Sequence, residues 1–226
     1  MRQFLHKFRA FYSALISGLA IGIGVTLYLS SANQVVGALF FSMGLFAICT
    51  FDWNLYTGKI GYIADMRHPV ECLLVWLGNL VGCTVTGILV RLARPGLVSV
   101  AHSLVAAKLE LPWWRASILA VFCGVLMYLA VQNYRENPHY LGKCLGIFLF
   151  VPAFILCGFE HSIADIGYFA VGLTSVDGLL SALLFLLNIS VFNGVGAIGF
   201  RAMTKVIGWL KAREDALAAS DEPQRD

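Results

Sequence analysis

The sequence predicts an all-α membrane protein with six transmembrane helices, and three observations carry that reading. The 226 residues are 59% hydrophobic and only 13% charged, with a mean hydropathy of +0.78. A soluble domain of this size needs far more charge on its surface, whereas a bilayer accepts apolar surface. The apolar residues also gather in six stretches, 11–30, 35–64, 72–93, 114–133, 144–171 and 178–200. Each is long enough to cross a hydrocarbon core, which takes about 20 residues.

The first stretch follows a basic start, Met1 to Arg9. Its apolar run from Phe11 to Leu29 exceeds the roughly 7–15 residues of a signal-peptide core, so it reads as a retained span. Residues 1–209 read as a single transmembrane domain and 210–226 as a charged, disordered cytoplasmic tail. The short polar stretches 65–69 and 134–139 are among the connections. Arg2, Lys7, Arg9, Arg67, Arg135, Lys143, Lys205, Lys211 and Arg213 fall on one side, and Arg91, Arg94, Lys108 and Arg115 on the other. The first side is therefore expected to be cytoplasmic, with both termini inside a multi-pass inner (cytoplasmic) membrane protein. The six cysteines lie in apolar runs without paired spacing, which suggests neither a disulfide framework nor a zinc site. No cofactor, bound metal or nucleic-acid partner is expected.

The second and fifth spans depart from ordinary apolar helices. Asp52, Asn54, Thr57 and Lys59 stand in the second, and Glu160, His161 and Asp165 in the fifth. An ionisable residue at a helix centre costs about 2.5–3.5 kcal/mol on insertion scales, so a purely structural span has little reason to carry several. Both segments begin Phe-acidic (Phe51-Asp52, Phe159-Glu160) and end Ile-Gly-Tyr, with spacings that differ by two residues. The third span carries Gly78-Asn79-Leu80-Val81-Gly82 and the sixth Asn193-Gly194-Val195-Gly196. Spans one to three thus recur in spans four to six, and three spans per half force the copies into opposite orientations. Helices two and five are expected to be broken at matching places, with a binding site near the midplane. Glycines in spans one, three and six allow close helix packing.

At these residues the chain resembles the formate/nitrite transporter family. Gly158-Phe159-Glu160-His161-Ser162-Ile163-Ala164 is similar to its fifth-helix signature, and Leu55-Tyr56-Thr57-Gly58 to the loop of its broken second helix. Gly78-Asn79-Leu80-Val81-Gly82 resembles its third helix, and Lys108, Pro112 and Leu129-Ala130-Val131 keep the spacing leading through its fourth. The resemblance covers roughly residues 10 to 205. It implies an aquaporin-like protomer in a homopentamer, one pore per subunit, passing small monovalent anions such as formate, nitrite or hydrosulfide. It places His161 on the central pore histidine and Thr57 on the threonine beside it. Leu55 and Phe154 fall on the apolar constrictions, Lys108 on the vestibule lysine, and Glu160 on a residue that bonds free backbone groups at the helix break. Asp165 stands where many members have Asn, Lys59 where a small or amide residue is common, Val191 in place of a Pro, and Gly196 in place of an Asn.

The chemistry expected of these residues follows from their types. Imidazole exchanges protons near neutral pH, so an anion meeting His161 can cross apolar constrictions as a neutral or proton-paired species. His161 and Asp165 are four apart and share a face if helical, but a lone His-x-x-x-Asp is a weak metal signal. Lys59 has several available roles: pairing with Asp165, pairing with Asp52, offering charge to an anion, or snorkelling to the interface. Lys108 reads either as surface charge or, on a loop with Arg91, Arg94 and His102, as part of a basic vestibule. With Glu160, Asp165 and Asn193 as further polar pore-lining candidates, the reading is an anion channel or transporter and not an enzyme. The alternative is a neutral-solute pore for hydrogen sulfide, water or urea.

Overall fold

The computed structural model describes residues 1–66 and 70–220, and every regular element within them is helical. In order these are α1 (Arg2–Leu29), α2 (Gln34–Thr50), α3 (Tyr56–Lys59), a 3-10 helix (Ile60–Asp65), α4 (Glu71–Ala93), α5 (Gly96–Leu109), α6 (Trp113–Glu136), α7 (Tyr140–Leu156), α8 (Ser162–Gly172) and α9 (Leu179–Ser220). Among the described residues four helices, α1, α4, α6 and α9, are long and apolar enough to cross a membrane by length and composition.

The apolar stretches 35–64 and 144–171 are each divided between shorter helices, and the division has a local cause. After α2 the backbone turns left-handed at Asp52 (φ 51°), and Trp53 N–H closes back on Ile48 C=O at 2.9 Å. After α7 the same closure forms at Gly158 (φ 65°), with Phe159 N–H on Phe154 C=O at 2.9 Å. This reversal satisfies the last carbonyls of a helix and ends it. Glycine adopts that backbone freely, and aspartate is among the few other residues that tolerate it.

Two close helix pairs frame the molecule, α1 against α4 and α6 against α9. A Cβ at Gly18 of α1 would stand 2.8 Å from Cys83 N of α4, and one at Gly124 of α6 would stand 2.9 Å from the Asn193 carbonyl carbon of α9. Only residues without a side chain permit such approaches. Phe41, Leu45, Leu55, Met127, Ile147, Ile163 and Ile189 fill the space between the helices and are almost fully buried. Large apolar side chains such as Phe40, Leu89, Trp114, Leu149 and Leu187 face outward, as suits hydrocarbon and not water.

Two features differ from the sequence reading. The connection expected as a loop at Lys108 contains α5, whose Leu97, Ala101 and Val105 repeat every four residues and are buried. Its 14 residues are too few to cross a bilayer but enough for a helix packed on α8. The tail expected to be disordered from 210 is instead helical to Ser220. Its Leu, Lys, Ala, Arg and Glu residues are strong helix formers, so the charges end the apolar run without ending the helix. Residues 221–226 of that tail lie outside the described residues, as do Arg67 of the basic side and the end of the polar stretch 65–69. Near the middle of α9, Asp65 is ion-paired with Arg201 and with Lys205 (2.9 Å). Hydrogen bonds from Lys205 and Arg201 hold its carboxyl below the ordinary range.

Gly82 of α4 tests the frame. A Cβ there would meet backbone of α1, 2.9 Å from Leu19 N, whereas nothing lies within 4 Å of one at Gly199. Gly82→Ala should lower thermal stability in detergent by about 1–3 kcal/mol, the usual cost of overpacking, and Gly199→Ala should not lower it. Paired melting curves check the difference.

Candidate functional site

Breaking a helix inside an apolar interior exposes backbone groups that must be bonded. Two buried asparagines do this in the same way. Asn79 of α4 donates to Asn54 C=O (3.0 Å) and Ala14 C=O (2.7 Å) and accepts from Tyr56 N–H (2.8 Å). Asn193 of α9 donates to Glu160 C=O (2.8 Å) and Ala120 C=O (2.8 Å) and accepts from Ser162 N–H (3.0 Å). Each amide thus bridges the gap before a short helix and ties it to a long one. Neither has solvent-accessible surface.

Leu55 and His161 occupy the middle of these gaps, each just before the first residue of α3 or α8. The His161 Nδ1 accepts the Ala164 N–H at 3.0 Å, capping α8. That bond requires the Nδ1 lone pair, so the proton of the neutral ring is on Nε2 and donates to Thr57 Oγ1 at 2.9 Å. The ring lies parallel to Phe154 with centroids 5.3 Å apart, and Phe41 meets Phe154 edge-on. His161, Thr57, Leu55 and Phe154 are all at most 2% exposed.

A cavity lies on either side of this septum. One, of about 270 Å³, is lined by Leu55, Gly58, Lys59 and Asp52, with Arg135 of α6 and Lys143 of α7. The other, of about 310 Å³, is lined by Phe154, His161, Phe41, Lys108, Glu160 and Asp165. Leu55 therefore bounds the first cavity and Phe154 the second, with the His161–Thr57 pair at the septum.

The remaining expectations are met unevenly. Lys108 is not surface charge: it reaches in from the last turn of α5, ion-paired with Glu160 and with Asp165 at 2.9 Å. One oxygen of Asp165, Oδ2, is buried with no partner among the described residues. Since Asp165 is taken by Lys108, Lys59 does not pair with it, and Lys59 has no ion pair among the described residues. The Glu160 carboxylate is on Lys108, so Asn193 and not Glu160 bonds the backbone at the gap. With its amide on three backbone groups, Asn193 itself lines neither cavity. Asn79, Arg135 and Lys143 are the residues that the sequence reading did not single out as site residues. The signal for Asn79 was its recurrence with Asn193 as an amide at membrane depth.

The formate/nitrite transporter family profile matches residues 2–207. A "Probable formate transporter" of Methanothermobacter thermautotrophicus is 28% identical over 73% of this chain and 70% of its own length. The nitrite transporter NirC of Escherichia coli K12 is 27% identical over 70% of this chain, and the formate channel FocB of the same organism 24% over 71%. These matches span 66% and 65% of NirC and FocB, about two thirds of those relatives. Among solved structures, a "pentameric formate channel with formate bound" aligns with a TM-score of 0.76 at 21% identity, covering 91% of this chain and 98% of that one. An "FNT family ion channel" aligns with a TM-score of 0.75 at 23% identity, covering 89% of each. The named relatives are channels and transporters and not enzymes.

The asparagine clamps predict their own sensitivity. Asn193→Ala strands a buried N–H and two carbonyls and should destabilise by on the order of 3 kcal/mol. Asn188→Ala, which removes a half-exposed bond to Ser117, should cost much less. Thermal unfolding of the two variants in detergent distinguishes them.

Proposed function

Because the chain belongs to the formate/nitrite transporter family, we propose that it passes small monovalent weak-acid anions, with formate or nitrite the leading candidates, through a pore centred on His161. The observation that carries the reading is the His161–Thr57 pair set in an apolar septum between two cavities. An unpaired anion is costly among Leu55, Phe154 and Phe41. Nε2–H is the donor available there, and the Ala164 bond fixes its direction. An anion reaching the septum takes the hydrogen bond now made to Thr57; its charge favours uptake of a proton at Nδ1 in exchange for the Ala164 bond, and the imidazolium so formed would pass its Nε2 proton to the anion, which crosses as a neutral acid and leaves a neutral ring behind.

The architecture we infer is six membrane spans in two inverted halves of three, with the second and fifth spans broken. A constant register supports it. Ala14, Asp52, Asn54, Leu55 and Tyr56 have counterparts 106 positions later in Ala120, Gly158, Glu160, His161 and Ser162. The same step carries Ile60-Gly61-Tyr62 onto Ile166-Gly167-Tyr168. The counterpart of Glu160 is thus Asn54, so the sequence echo of Asp52 with Glu160 is two residues out of register. We further propose a homopentamer in the inner membrane with both termini cytoplasmic. The fold match to a pentameric formate channel, the outward apolar side chains and the distribution of loop Lys and Arg support these points.

The test is formate and nitrite uptake into proteoliposomes across a pH series, with urea as a neutral control. The unaltered protein should show anion uptake that rises with proton availability. His161→Asn should reduce it by about tenfold or more, the worth of one charge-assisted hydrogen bond, and should flatten its pH dependence. Unchanged uptake and pH dependence would sink the central role of His161.

A further inference from the structure

The two cavities differ in charge in a way that assigns them different roles. On the side of Phe154, the lining carries one cation, Lys108, between the carboxylates of Glu160 and Asp165. With two carboxyl groups against one ammonium, that trio offers a cation already engaged on both sides. On the side of Leu55, the lining carries Lys59, Arg135 and Lys143 against the single carboxylate of Asp52. Among the described residues, none of these three cations has a carboxylate within ion-pairing distance. Arg135 lies 4.5 Å from the Tyr62 ring and Lys143 lies 5.8 Å from the Tyr134 ring. Aromatic contacts of this kind orient a cation without neutralising it.

Lys59 is the cation nearest in sequence to the septum, four residues after Leu55 and two after Thr57. It follows directly on Gly58, a lining residue of the same cavity. Under the 106-residue register its counterpart is Asp165, one of the two partners of Lys108. The register therefore sets a basic residue in one segment against an acidic residue in the other.

We propose that the cavity bounded by Lys59, Arg135 and Lys143 is the capture site for the small monovalent anion, with Lys59 presenting it to the Leu55 constriction. The inference rests on the transport reading above and adds a sidedness to it. A passive pore cannot set the direction of net flux, so the asymmetry appears in affinity: less anion half-saturates transport when supplied from the Lys59 side than from the Lys108 side.

The experiment measures initial formate flux against concentration in membrane vesicles of each orientation, for the unaltered protein and for Lys59→Met, Lys59→Arg and Lys143→Gln. Lys59→Met should raise the half-saturating concentration about fivefold from the Lys59 side alone, the effect of one unit charge at ~4 Å in a wet mouth. Lys59→Arg should restore it, and added salt should shrink the difference. Lys143, half-buried at the cavity edge, provides a second variant that keeps the test decisive if Lys59→Met does not fold. Lys143→Gln should raise the same constant from the same side. Flux through the unaltered protein with unchanged half-saturation in the folded variants overturns the inference alone. An equal rise from both faces also overturns it, because it marks a role in the shared septum. Absence of formate flux through the unaltered protein sinks the transport reading and this inference with it.

Discussion

An interior without water cannot leave a backbone N–H or C=O unbonded, and in this chain that requirement is met at both helix gaps by an asparagine amide. Asn79 and Asn193 each hold one N–H and two C=O groups. An amide suits the task because it donates twice and accepts on one side chain without bringing a charge. Everything at the septum is placed from these clamps. Leu55 and His161 sit at the gap centres, and Thr57 and Ala164, the bonding partners of the imidazole, stand in the first turns of the helices that follow. The long helices supply the fixed points, since Ala14 and Ala120 receive the far ends of the clamps at positions where Gly18 and Gly124 allow close approach.

Much of this was legible in the residues. The run lengths located the helices, the polar interruptions located the two gaps, and His161, Thr57, Leu55 and Phe154 were named and lie together. What was not legible was pairing. Lys108 is 52 positions from Glu160 and sits on a helix too short to register as a span, so sequence left it between surface charge and a basic vestibule, with no carboxylate partner. Once Lys108 is found between Glu160 and Asp165, one of the two partners considered for Lys59 is gone. The role of Glu160 changed for a related reason. Its side chain and its own carbonyl point to different partners, Lys108 and Asn193, a distinction that a one-letter motif does not carry.

The repeat shows where composition misleads. Phe51-Asp52 and Phe159-Glu160 look alike, yet backbone geometry aligns Asp52 with Gly158, because both adopt a left-handed conformation at a helix end. Shape is kept at that point and chemistry is not. The same holds for Lys59 and Asp165, and for Leu55 and His161. The two gap segments keep an asparagine clamp and a left-handed turn while the side chains facing the cavities differ. This is how two similar backbones come to enclose a septum with one imidazole and two differently charged mouths.

The length of α9 has a mechanical side. Its 42 residues make a rod of about 63 Å, against about 40–45 Å for a whole bilayer. Laid along the membrane normal, the helix would be about 20 Å longer than the bilayer is thick. Near its middle, Arg201 and Lys205 grip Asp65, the last residue of the 3-10 turn that continues from Thr57 and Lys59. The long helix is thus tied at its midpoint to the short segment beside the septum.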